Sequence, residues 1–166
     1  MADNDSLLSS FAKSDGTDTL LKRPGFLIRR MHQIHLALFA EECEPFDITP
    51  VQYSIMTVAS AQPNLDQARL AYEVGVDHAT LANVVARLES KSLVTRSLSS
   101  SDKRVKLVAL SARGVALLEK MRVPVQRAHE RTISTLSKVD QNLLMTLLIR
   151  LVDAQNEYGR APLRLG

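Results

Sequence analysis

The sequence predicts a mainly α-helical fold with one small β-hairpin. Three observations lead there. Apolar residues recur at helical spacing along most of the chain and switch to alternation only between Leu93 and Ala109. A short helical pattern, the glycine Gly75 and a second, freshly capped helical pattern follow one another from Leu65 to Lys91. A cationic turn, Asp102-Lys103-Arg104, separates the two alternating runs. Two helices joined by a tight turn and followed by a basic hairpin make a winged helix-turn-helix. The helices on either side are then left to form a helical dimerisation lobe.

Taken in order, residues 1–22 mix Asp, Ser, Lys, Gly and Thr and are expected to be a mobile arm. Residues 23–166 are expected to be one domain, with the winged helix-turn-helix at 48–111 and dimerisation helices at 23–45 and 112–160. Pro24 opens a helix from its first turn. Leu27, Met31, Ile34 and Leu38 form one stripe, and Ile28, His32, His35 and Phe39 a second beside it. Two stripes predict burial over a wide arc. Thr49-Pro50 caps and starts the next helix, which runs to about Ala61. Asp66 caps a short helix through Glu73, and Gly75 ends it. Asp77 caps the following helix, which turns Leu81, Val84, Val85 and Leu88 inward and ends at Lys91. Leu93–Leu98 is one strand. Val105, Leu107 and Ala109, alternating with Arg104, Lys106 and Val108, make the other. Ser111 caps a long helix to Ser137, bent or interrupted near Pro124. A last helix starts at Asp140, with Leu143, Leu144, Leu147, Leu148, Leu151 and Val152 inside, and ends near Tyr158-Gly159.

Composition narrows the class. The chain has 166 residues and 45% hydrophobic content, enough for a core. No apolar run approaches the roughly 20 residues that span a bilayer. Met1 to Ser6 carries early acids rather than a basic stretch before an apolar one, so no secretory leader is expected. The single cysteine, Cys43, excludes an internal disulfide framework, and a cytoplasmic location is the simplest expectation. The net charge of +3 is uneven: residues 1–86 hold 6 basic and 11 acidic side chains, whereas 87–131 hold 11 and 4. A basic half suits a polyanion. No glycine-rich phosphate loop, serine elbow or His/carboxylate pairing is present, so an enzyme is not expected.

The second helix of the motif offers His78, Thr80 and Asn83 as hydrogen-bonding side chains for base edges in a major groove. Arg87, one turn on, suits phosphate. The hairpin tip carries Asp102, Lys103 and Arg104, with Lys106 behind it. Its arginine can enter a narrow minor groove while the carboxylate two residues before holds the guanidinium in place. Double-stranded DNA is the expected partner. A winged-helix adaptor that avoids DNA is the competing reading, and this polar helix and wing argue against it. Ser99-Ser100-Ser101 reads as a polar loop before it reads as a phosphorylation site.

These motifs resemble the MarR (multiple-antibiotic-resistance regulator) family over roughly residues 24–158. The family's wing pattern, Asp-x-Arg, a hydrophobic strand, then Leu-Thr-x-x-Gly, is matched from Asp102 to Gly114 with only Ser111 departing, as a conservative cap. Ile48-Thr49-Pro50-Val51-Gln52-Tyr53-Ser54-Ile55-Met56 matches the upstream pattern, and the segments Leu70–Asp77 and Val85–Val94 align without gaps. The resemblance implies a homodimer whose first, fifth and last helices interlock about a two-fold axis. It implies a pseudo-palindromic operator, usually repression, and release by a small ligand. The segment Pro24–His35 with Phe39–Cys43 is similar to a branch that controls aromatic-acid catabolism, which implies an aromatic acid or its coenzyme A thioester as effector. In that reading a ring lies on Phe39, Tyr53 and Met56, and a carboxylate meets Arg29, His32 or His35. The plain alternative is a pair of core or interface histidines. A metal reading joins His32 and His35 to Glu41, Glu42 or Cys43, but these lie about 12 Å apart along one helix and cannot close a site. A redox reading rests on Cys43, where Glu41, Glu42 and Glu44 disfavour a thiolate. No cofactor and no metal are expected.

Overall fold

A computed structural model describes residues 18–159, 161 and 163. Most of the arm predicted for 1–22 lies outside the described residues; within it Asp18–Leu21 forms one helical turn, α1. The chain continues through α2 (Pro24–Cys43), a 3-10 turn (Glu44–Phe46), α3 (Pro50–Ala61), β1 (Leu65–Asp66), α4 (Gln67–Val74), α5 (His78–Ser90), β2 (Val94–Leu98), β3 (Lys106–Leu110), α6 (Ala112–Ile133), α7 (Lys138–Ala154) and a 3-10 turn (Asn156–Tyr158). No helix among the described residues is long and apolar enough to cross a membrane.

The helix starts follow local chemistry. The Thr49 hydroxyl accepts from the Gln52 N–H, and the Gln52 side chain accepts from the Thr49 N–H at 2.9 Å. This reciprocal box also satisfies Gln52, which is buried. Asp66 accepts from the Arg69 N–H and Asp77 from the Thr80 N–H, both at 2.8 Å. Gly75 sits between them at φ 71°, the left-handed turn that glycine tolerates. At the start of α6, Ser111 accepts from the Gly114 N–H and donates to the Ser92 carbonyl. Gly114 is needed there, since a Cβ on it would meet the Leu93 carbonyl oxygen at 2.0 Å.

One core joins the helix-turn-helix to the base of the hairpin. Ile55, Met56, Leu70, Leu81, Val85, Leu88, Val94, Val108 and Met121 are its largest fully buried side chains. The inner face predicted for α5 is thus observed, with Val84 only partly buried.

Several expectations are corrected. The hairpin gains a third strand: β1 pairs antiparallel with β3, Leu65 opposite Val108 and Asp66 opposite Leu107. Two residues carry no readable period. On β3 the residue turned into the core is Val108, while Val105, Leu107 and Ala109 are only half-buried, because β3 is the middle strand and packs its inner face against α3 and α4. Helix α6 runs through Pro124 unbroken and ends at Ile133. Helix α7 starts at Lys138 rather than at Asp140, capped by Ser137, whose hydroxyl accepts from the Asp140 N–H and donates to the Asp140 carboxylate. The α-helix ends at Ala154.

The leucines expected inside α7 are not inside this chain. No residue of α7 is buried, and Leu143 and Leu151 are 54% and 57% exposed. On α2 only Phe39 and Cys43 are buried, because α6 is the main element packed along that helix; Leu27, Ile28, Met31 and Ile34 face outward.

Candidate nucleic-acid interface

Burying Leu81, Val85 and Leu88 forces the opposite face of α5 outward. His78, Thr80, Asn83 and Arg87 all stand on that exposed face, as their spacing predicts. Thr80 has a second duty. Its backbone N–H and its hydroxyl, the latter at 2.7 Å, both bind the Asp77 carboxylate and hold it below the usual carboxylate range. The Thr80 proton is therefore committed to the cap, and its methyl group and oxygen lone pairs are what remain for a partner. Arg87 makes no ion pair among the described residues.

The wing tip is built around Asp102. Its Oδ1 accepts from the Arg104 N–H at 2.9 Å and from Arg104 Nε at 3.1 Å, and its Oδ2 accepts from Nη2 at 3.1 Å. The fork of Arg104, and then its backbone N–H, keep the Asp102 carboxyl below its ordinary range. The bracing read from the Asp-x-Arg spacing is present, and the Arg104 side chain remains 91% exposed. Lys103 and Lys106 are exposed beside it. Arg104, Val105 and Lys106 face Asp66, Gln67 and Ala68 across a cleft of about 250 Å³ between wing and helix-turn-helix. The Gln67 amide nitrogen nearby is buried without a protein partner.

Two contacts that the sequence did not reveal lock α5 in place. Arg96 of β2 donates to the Glu89 carboxylate, which tethers the hairpin to α5 and holds Glu89 below the usual range. Lys91 donates to the Asp47 carbonyl and, at 2.7 Å, to its carboxylate. Both link residues far apart in sequence or of unremarkable type, and neither spacing carries a signal.

The six residues proposed for an effector are not gathered around one cavity. Phe39 and Met56 are core, 2% and 0% exposed. Arg29 lies over the Phe26 ring at 5.3 Å, and His32 is exposed. His35 is half-buried against α6: its Nδ1 is 2.9 Å from the Thr132 hydroxyl, and its ring stacks on His129 with centroids 5.1 Å apart. Its other ring neighbour is Phe39, which in turn meets Tyr53 edge-on at 6.5 Å. Burial, then His129, then His32 lower the His35 pKa from its ordinary value. Of the six, Tyr53 borders a cavity among the described residues that the other five do not line. That cavity, of about 720 Å³, is walled by α6 residues including Arg122, Val123, Gln126, Arg127 and His129. His129 is the residue sequence reading missed; it meets His35 only because α2 and α6 pack together.

The same packing absorbs charges first assigned to a basic face. Arg127 and Arg131 both bind Glu42, at 2.8 and 2.7 Å, and Arg131 also binds Glu41. Arg127, then Arg131, depress the Glu42 carboxyl. Cys43 is buried beside them, and burial, followed by the Glu42 charge, pushes its thiol up. No cluster of three or more His, Cys, Asp or Glu able to hold a metal occurs among the described residues.

Comparison with known proteins agrees with this arrangement. The model of the MarR family matches residues 48–106. The transcriptional regulator HosA of Escherichia coli O111:H- is 31% identical over 128 residues, covering 76% of this chain and 93% of HosA. BpsR of Bordetella bronchiseptica, whose structure concerns regulation of DNA binding by 6-hydroxynicotinic acid, superposes with a TM-score of 0.76 at 26% identity, over 80% of this chain and 94% of that one. A cysteine-to-serine mutant of MarR from E. coli complexed with operator DNA gives 0.75 at 28% identity, over 84% and 99%. With its helix-turn-helix, braced wing and flanking helices, the chain belongs to the MarR family of transcriptional regulators, and not to a class of enzymes.

Proposed function

We propose that this protein is a homodimeric repressor that reads a pseudo-palindromic operator and is released by a small aromatic acid or its coenzyme A thioester. The observation that carries the DNA reading is the Arg104 fork, braced by Asp102 yet exposed, beside the exposed polar face of α5. His78, Thr80 and Asn83 meet base edges, Arg87 and Lys106 meet phosphate, and Lys103 and Arg104 enter the adjacent minor groove. The likeness to MarR bound to operator DNA supports this placement. Each protomer covers one half-site, and the two centres lie about 10 bp apart. Bound there, the dimer occludes the promoter, and the cytoplasm is where it works.

The dimer is supported by the apolar faces that α2 and α7 leave uncovered in one chain. The effector class is supported by the likeness to BpsR and by the cavity next to Tyr53. There the Tyr53 ring offers a flat wall and His129 or Arg122 a carboxylate partner, while His35, Phe39 and Met56 support that wall from behind.

The test starts with selection of duplexes by the full chain from a random library. An enriched inverted repeat is expected; absence of any consensus would sink the DNA reading. A thermal-shift series of benzoic, hydroxybenzoic and hydroxynicotinic acids and their coenzyme A thioesters then tests the effector. A compound that raises Tm and frees the selected duplex fits the proposal, and no stabilisation by either series rejects that ligand class.

A further inference from the structure

The chain does not simply run out after its last helix. Beyond α7 it turns back, and one side chain holds the return. Asn156 Nδ2 donates to the Leu163 carbonyl at 2.6 Å, and its Oδ1 accepts from the Leu163 N–H at 2.9 Å. One amide thus satisfies both polar groups of a residue seven positions on. Leu163 lands on the turn of the helix-turn-helix. A Cβ built on Gly75 would lie 3.3 Å from Leu163 Cδ1 and 3.4 Å from its Cβ. Ala161 borders a cavity of about 360 Å³ together with Ala71, Tyr72, Val76, Asp77 and His78. Ala161 and Leu163 therefore cover the hinge between α4 and α5 and reach the first residue of the α5 helix.

We propose that Asn156, Ala161 and Leu163 form a latch that positions the recognition helix relative to α7. Three facts join in this. Gly75 at φ 71° has no side chain of its own to shield the turn, and Leu163 supplies that apolar cover. His78 begins α5 immediately past the covered turn, so a shift of the turn tilts the whole reading face. And α7 has no buried residue, so the latch ties an otherwise outward-facing helix to the DNA-reading lobe. Whatever displaces α7 is passed through Asn156 to Gly75 and on to His78. Asn156 and Leu163 are positioning residues; neither touches DNA. The proposal rests on the reading of α5 as the DNA-reading helix.

The test compares the full chain with Asn156→Ala, Leu163→Ala and a chain ending at Gly159. Hydrogen exchange, which needs no DNA, tests the latch itself. Loss of amide protection over residues 75–80, with α3 unchanged, is expected in all three; unchanged protection at the turn overturns the latch. Fluorescence anisotropy then uses the duplex selected with the full chain and a scrambled duplex of equal length. Affinity for the selected duplex is expected to fall about ten-fold while binding to the scrambled one holds. An equal fall on both duplexes, with a lowered Tm, would mean the tail merely supports the fold and would reject the positioning role. If the full chain selects no duplex, the DNA reading fails, and the exchange result still decides the latch.

Discussion

Arg104 shows what a single side chain can be arranged to do before any partner arrives. Long arginines usually pay rotamer entropy on binding; here Asp102 holds the fork through two hydrogen bonds and the Arg104 backbone N–H through a third, while leaving the fork in solvent. Arg104→Ala is expected to weaken binding to a selected duplex about ten- to a hundred-fold in an anisotropy titration. Asp102→Ala keeps the cation, removes the brace, and is expected to lose less. Asn83→Ala is expected to relax base preference in a repeated selection while non-specific affinity holds, because a bidentate contact to adenine discriminates more than it binds. His35 makes a pH prediction. Its folded pKa lies below the ordinary value of 6.5 because burial and His129 oppose its charge. The unfolded chain then binds the proton more readily, so stability is lost as pH falls through 6.5 and levels off below the lowered value. His35→Gln is expected to flatten that part of a Tm-against-pH profile.

Elements here begin where short-range chemistry says they should. Thr49, Asp66, Asp77 and Ser111 all cap the helices predicted for them, because a cap and the amide it binds lie only three residues apart. The misplaced start of α7 is instructive. Ser137 caps α7 and places Asp140 at the third position, so the helix begins at Lys138, ahead of the Asp140 start expected from the sequence. Ser111→Ala is expected to cost about 1 kcal/mol in urea unfolding, since it removes the cap of α6 and the bond to the Ser92 carbonyl. Strand β1 and the burial of Val108 were not legible, because pairing partners 43 residues apart decide them. The Asp47–Lys91 contact, 44 positions apart, is a tie of the same sort, and Glu89–Arg96, only 7 apart, also crosses between two elements; together they set how α5 sits against the hairpin and the loop after α2.

At the scale of the molecule, a single chain leaves two helices half-finished. The winged helix-turn-helix closes its own core, whereas α2 and α7 present Leu27, Ile28, Met31, Leu143, Leu147 and Leu151 to solvent. Light scattering is expected to report twice the chain mass of 18.4 kDa. Paired Leu147→Glu and Leu151→Glu substitutions are expected to yield a monomer that no longer binds the selected duplex, with helix content retained. The sequence by itself determined what neighbours along the chain can settle: the caps, the glycine turn, the polar face of α5 and the braced wing, all carried by residues within a few positions of one another. Only the tertiary structure decided that His35 stacks on His129, that Glu42 takes up Arg127 and Arg131, and that the end of the chain returns to Gly75. Those contacts join residues up to 94 positions apart, and no local spacing encodes which distant helix will come to lie alongside.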